Sequence, residues 1–507
     1  MLNRYRIVAA YILAVPLALI LGVLSTSPNQ LTIMLVGMLL FFLALPLLIT
    51  WHHTLLVVLW NSAFVAFFLP GQPEMWMVLG SLSLGISILN YVMWRRPFLH
   101  DPFMTRPLIF LAVVVLITAF YRGGIGLRAL GGGSHGGRQY LMILCAILGY
   151  FAFTAVPIPA AKSRRFVSLF FLSQTTSFLS NVAYMLGPAF YFIYYLVPVG
   201  GTTMQAAAEN GLSNIDRIEG LAPTAIGVSC FLLTIYGIRG LFYLGRPWRM
   251  GLFLVAALAG CLAGFRWMAA LLLLIFVFQF WFEGLMRTRI CAMVVGSAFL
   301  GLMVLCVWGN HLPLSIQRSV SFLPEAIVPL KAEVRDDAAG SSDWRYEIWR
   351  LVWKDLPKYL VVGKGYSFDP LEMDLTQTAI RAGLLPTYEE PLLAGNYHSG
   401  PLSVIVPFGV MGGLAFLWVI FAGVRVMYFN YKYGDERLRR LNTVLLSYYL
   451  AYCVSFFVTF GALSFQLFSF LGTIGLSVSL NGGVAARPRA ATEEIRVLPR
   501  AFAIEAR

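Results

Sequence analysis

Apolar runs of roughly 18–25 residues recur along almost the whole chain, each long enough as a helix to cross a bilayer core. They lie near 7–26, 31–50, 54–70, 75–94, 107–121, 139–158, 166–186, 221–238, 250–265, 267–282, 291–309, 401–424, 442–460 and 463–480. By length they predict about 14 crossings, with 54–70, 107–121 and 250–265 among the short ones. No Asp or Glu stands in the middle of any run. The chain is 59% hydrophobic and only 12% charged, about half the charge of a soluble domain. The fold class that follows is an all-α integral membrane protein with one large polar loop.

The net charge of +14 does not imply a nucleic-acid partner, because the basic residues are spread over loop after loop. That is the pattern by which cytoplasmic loops orient a membrane protein. Arg4 and Arg6 begin the series. Arg95/Arg96/Arg106, Lys162/Arg164/Arg165, Arg239/Arg246/Arg249, Arg287/Arg289 and Lys432/Arg437/Arg439/Arg440 continue it in every second loop, and only the His52-His53 loop lacks Lys or Arg. Both termini are therefore expected in the cytoplasm. Segments 122–138, 188–220, the junction at Gly264-Phe265-Arg266 and the polar interval 310–400 are expected outside.

The six cysteines all fall in apolar segments without a CxxC, which signals neither a disulfide framework nor a zinc site. Residues 1–26 are read as a first anchor, since the apolar stretch is long for a signal peptide and lacks a small-residue cleavage site. The expected organisation is N-terminal spans over 1–200, spans with outer-face arginines over 201–309, the large loop over 310–400, C-terminal spans over 401–480 and a tail over 481–507.

Inside the loop, residues 343–353 are expected to form an amphipathic helix with Trp349, Val352, Trp353 and Leu356 on one apolar stripe. Ser341 or Ser342 would cap its start and Pro357 would end it. Chemistry is sought under this loop. Arg266 interrupts two apolar runs, Arg217 directly precedes a span, and Arg345 lies on the amphipathic helix. Each also has a structural reading. Arg266 can cap a hairpin and snorkel to headgroups, Arg217 can pair with Asp216 or Glu219, and Arg345 can pair with Glu347. Of the six histidines, His398 sits where the loop re-enters the membrane; it suits proton transfer or a backbone hydrogen bond. The loop acids, Asp336-Asp337 among them, read as a solvated surface. Guanidinium forks match phosphate oxygens, and one imidazole can deprotonate a hydroxyl. Together they fit group transfer from a diphosphate-bearing lipid to an alcohol, with arginines rather than a metal at the leaving group.

Four patterns resemble the bacterial O-antigen ligase and O-antigen polymerase superfamily. They are Arg217-Ile218-Glu219-Gly220 before a span, Gly264-Phe265-Arg266-Trp267-Met268-Ala269-Ala270, Arg345 to Trp349 with Leu356-Pro357 and Gly363-Lys364-Gly365, and Asn396-Tyr397-His398-Ser399 before a span containing Pro407-Phe408-Gly409. Ser399 stands where the family has Asn, and Phe265 where it has Ser. The resemblance implies a membrane glycosyltransferase (GT-C-like) fold in the bacterial inner membrane, with its site open to the periplasm. It implies His398 as the base, and Arg345, Arg266 and Arg217 as holders of an undecaprenyl diphosphate donor. The implied reaction is metal-independent and inverting, needs no cofactor, and uses a lipid A-core or polysaccharide acceptor; ligase and polymerase remain open. A lipid-linked saccharide flippase is the reading from another class, and it would call for ionisable groups deep in the spans or paired broken helices.

Overall fold

The computed structural model describes residue 22 and residues 30–95, 98–99, 101–124, 136–200, 217–324 and 326–487. The run 7–26, apart from Gly22, and the start of the basic series at Arg4 and Arg6 lie outside them. The described residues are helical, with one isolated antiparallel bridge between Val65 and Glu74.

The apolar helices come first as α1 (Gln30–Leu59), α2 (Met75–Trp94), α3 (Pro102–Arg122), α4 (Gly137–Thr154), α5 (Ala160–Leu172) and α6 (Phe178–Leu186). There follow α7 (Leu221–Leu241), α8 (Trp248–Cys261), α9 (Arg266–Phe282) and α10 (Arg289–Trp308). The polar interval holds α11 (Leu314–Ser319), α12 (Ala332–Tyr359), α13 (Pro370–Arg381) and α14 (Glu389–Leu393), and the chain closes with α15 (Gly400–Tyr433), α16 (Arg439–Val458) and α17 (Leu463–Asn481). Among the described residues nine helices are long and apolar enough to cross a membrane, with α8 and α9 as shorter apolar helices. The protein is a multi-pass membrane protein.

The runs 31–50 and 54–70 do not become two membrane-length helices. The first falls wholly and the second partly in α1, which is non-helical at Trp51 (φ −116°, ψ 16°) and ends at Leu59. Beyond it the backbone bonds elsewhere: Ala63 N–H donates to Thr176 Oγ1, Val65 N–H to Leu196 O at 2.9 Å and Ala66 N–H to Pro73 O at 2.8 Å. The run 166–186 is likewise interrupted by a 3₁₀ turn over Ser173–Ser177 between α5 and α6.

Lipid tails are as apolar as leucine, so helices associate in a bilayer by close packing and hydrogen bonds rather than by escaping water. The centre of the bundle shows both devices. Trp60 is fully buried, donates its indole N–H to Phe468 O at 3.0 Å, and lies so close to Gly149 of α4 and Gly472 of α17 that a side chain at either would overlap it.

The ends of the helices sort into two groups. At one end α7 breaks at Gly237 (φ 62°), and Glu283 accepts from the freed Ile238 and Arg239 amides. Arg164 and Arg440 both donate to Ile235 O there, so three of the basic segments meet. At the opposite end lie Arg122, the turns before α7 and α9, and the polar interval. Arg122 donates to Gly363 O (2.7 Å) and Val362 O (2.9 Å), and Tyr366 N–H donates to Tyr140 Oη at 2.9 Å.

Proline-induced breakage seats the loop. Helix α15 contains Pro407 and is non-helical at Gly409 (φ 67°, ψ −167°). A broken helix buried in protein needs outside partners for its freed backbone groups, and segment 360–365 supplies them. Lys364 N–H donates to Val406 O at 2.7 Å, Gly365 N–H to Pro407 O at 3.0 Å, and Val410 N–H to Leu360 O at 2.8 Å. A Cβ at Gly363 would overlap the Pro407 carbonyl, which is why the approach requires glycine.

Candidate active site

The helix carrying Arg345 is longer than its sequence pattern suggests. α12 begins after Lys331, not at Ser341 or Ser342, and Pro357 lies inside its last turn. Ser342 bonds back to Ala338 O at 2.9 Å instead of capping. Pro357 is tolerated because the carbonyl it leaves unpaired, that of Trp353, belongs to a residue 69% exposed. The buried stripe also differs. Trp353 is outside it, while Val334, Ala338, Ile348 and Val352 are buried. Ser341 and Arg345 stand on that same row, at steps of three and four residues. Arg345 therefore faces inward, and Glu347 pairs with Arg350 at 2.8 Å instead.

Two turns bring the other arginines to it. The turn between α8 and α9 puts Gly264 in the left-handed region (φ 71°) and starts α9 at Arg266. The Arg217 side chain lies over Gly264, whose missing Cβ leaves space for it. Arg266 Nη2 donates to Ser341 Oγ at 3.4 Å. Arg217 Nη2 reaches Asp337 Oδ1 at 3.4 Å, and Arg318 Nε lies 2.7 Å from Asp337 Oδ2. The second contact is an ion pair without hydrogen-bond alignment, since neither atom has a hydrogen-bond partner. Arg318 is 8% exposed and its Nη1 is buried without a partner. Burial raises the Asp337 carboxyl above the usual range, while Arg217 and Arg266 pull it back. Burial lowers Arg217, opposed by Asp337 and Glu219, and lowers Arg345, aided by Arg266.

Arg266, Arg318, Ser341 and Arg345 line a cavity of about 260 Å³ that Phe322, Val458 and Thr459 also border. That is smaller than the ~300–1,000 Å³ typical of pockets for whole small molecules. Its charged lining residues are all arginines.

His398 stands beside this cavity. Its ring lies edge-on to Trp344 (4.9 Å between centroids) and to Phe460 (5.2 Å). Phe460 is the neighbour of Thr459 in the cavity wall, and Trp344 is the neighbour of Arg345. Gly400 and Gly461 approach so closely that neither position has space for a side chain, which holds the start of α15 against the turn after α16. His398 itself has φ 50°, an uncommon conformation for any residue but glycine. Trp349 Nε1 fixes the preceding carbonyl, Tyr397 O, at 3.0 Å. Burial, reinforced by the Arg345 charge, lowers the His398 pKa to about 4.

The structure thus brings all four sequence-derived candidates, Arg217, Arg266, Arg345 and His398, to one place. It adds Arg318 and Asp337, which sequence reasoning missed. Asp337 is half-buried between two guanidinium groups and not on a solvated surface. Its spacing to Ser341 and Arg345, four residues at each step, was the available signal once the helix is extended backwards. His135 lies outside the described residues, and His311 is exposed in a 3₁₀ turn.

Residues 251–417 match the family model described as O-antigen ligase. The matched stretch holds Arg266, Arg318, Asp337, Arg345 and His398, whereas Arg217 precedes it. No curated protein and no solved structure matches the chain.

Proposed function

We propose that this member of the O-antigen ligase and polymerase superfamily transfers a saccharide from an undecaprenyl-diphosphate carrier to a hydroxyl acceptor at the periplasmic face of the inner membrane. The observation that carries the reading is the surplus of cations. Three arginines line one cavity and Arg217 adjoins it through Asp337, the carboxylate paired with Arg217 and Arg318, while Arg318 Nη1 is buried with no partner. A buried guanidinium nitrogen left unpaired is unfavourable until an anion reaches it. A diphosphate supplies several acceptor oxygens in the geometry that guanidinium forks prefer. Phe322 and Val458 at the rim are 50% and 73% exposed, which suits a polyprenyl chain lying in the bilayer.

In the proposed step the acceptor oxygen attacks the anomeric carbon as His398 Nε2 or Nδ1 takes the hydroxyl proton. The bond from that carbon to the phosphate oxygen breaks, and the electron pair leaves on the diphosphate. Arg217, Arg266, Arg318 and Arg345 stabilise the charge that develops there. Attack opposite the leaving group inverts the anomeric centre.

Polysaccharide from a deletion strain tests the reading. Loss of long chains marks a polymerase acting on lipid-linked repeat units; accumulation of complete lipid-linked polymer marks a ligase with a lipid A-core acceptor. Envelope polysaccharide unchanged in amount and length would overturn both.

A further inference from the structure

A second cavity, of about 250 Å³, lies between α12, α13, α14 and the start of α15, and its chemistry is unlike that of the arginine cavity. Its wall includes the carboxylates of Asp355, Glu372 and Glu389, the ammonium of Lys364, and the rings of Tyr359 and Tyr397. Tyr397 is 2% exposed, and its hydroxyl is buried without a hydrogen-bond partner. Buried hydroxyls are nearly always paired, so this one marks a place for a ligand atom. Asp355 pairs with Lys358 at 2.6 Å. Lys364 feels Glu372 and Asp355 through space yet closes no ion pair with either among the described residues, while burial lowers its pKa.

Glu372 and Glu389, with Asp355 already paired to Lys358, outnumber the one ammonium in the wall and disfavour a diphosphate there. What they accept is hydrogen bonds from hydroxyls. An ammonium and a phenol supply donors, and aromatic rings offer flat apolar faces for the C–H side of a sugar ring. We infer that this cavity binds the saccharide end of the acceptor, an inference that rests on the transfer reading above. The placement along α12 agrees with it. Arg345 faces the first cavity and Asp355 the second, ten residues or roughly 15 Å further along the helix. Tyr397 packs on Ile348 and Val352 between them, and its chain neighbour His398 touches Trp344. An acceptor held here would lie next to His398, the chain neighbour of Tyr397 in the cavity wall.

The test uses the purified full chain in detergent, with oligosaccharide released by mild acid from the envelope of the producing strain as the probe. Saturation-transfer NMR should show saccharide contact with the wild type and with His398→Ala. Glu372→Gln and Tyr397→Phe, which nearly preserve side-chain shape, should each weaken it by on the order of tenfold. Saturating inorganic pyrophosphate should leave the signal in place. Unaltered binding in both cavity variants, displacement by pyrophosphate, or no contact with the wild type would each overturn this subsite. None of those results bears on the deletion phenotype, so the transfer reading stands or falls separately.

Discussion

His398 combines two properties that pull against each other in a base. Its imidazole is neutral at physiological pH, because burial and then the Arg345 charge hold its pKa to about 4. It can therefore accept a proton, but at that pKa it is a weak acceptor. A diphosphate on Arg345 would cancel the charge that depresses it and raise the pKa in the complex. The sign is then fixed. Protonation removes the base, so rate falls as pH drops, near pH 4 for the free protein and at higher pH once donor is bound. We expect the acid limb of kcat to lie above that of kcat/KM, since the two report the complex and the free enzyme respectively. His398→Ala should lose about 10²–10⁴-fold in rate along with that limb. Coincident limbs in the wild type would mean that the diphosphate does not approach Arg345.

At the scale of elements, the break in α15 and the Gly363-Lys364-Gly365 segment form one joint. Each supplies what the other lacks: the segment's amides meet the carbonyls of Val406 and Pro407, and its Leu360 carbonyl accepts from the Val410 amide. Gly363→Ala should force the segment off Pro407 and destabilise the protein by about 1–3 kcal/mol. Gly340 in α12 is the contrast, with nothing within 4 Å of an added Cβ. Gly340→Ala should be neutral or stabilising by about 0.5–1 kcal/mol, because alanine favours helix. Thermal melting together with proteolysis of the loop compares the two. Equal melting temperatures would show that the joint does not hold the loop.

For the molecule as a whole, the basic segments around Arg164, Arg239 and Arg440 gather at one end, and the arginine cavity with the polar interval sits at the other. The bias of basic loops toward the cytoplasm predicts that the cavity end faces the periplasm. An alkaline phosphatase fused near residue 340 should be active, and a cytoplasmic reporter there inactive. The reverse pattern would put the cavity on the side where the lipid-linked donor is made and overturn the proposed setting of the reaction.

The apolar runs alone determined that this is a multi-pass helical membrane protein. A bilayer makes backbone satisfaction local, so length and apolarity are enough to read a span. Four of the six ionisable groups at the cavity and its edge were likewise legible, three beside spans and Arg345 on an amphipathic helix. The helix breaks at Trp51, Gly237 and Gly409 were not legible, nor was the start of α12 ahead of Ser341. A break is set by the partner that takes up the freed groups, and those partners come from elsewhere in the chain. Asp337 was misread for the same reason. It meets Arg217 across 120 residues of sequence, and only the folded chain shows that the carboxylate lies among arginines rather than in water.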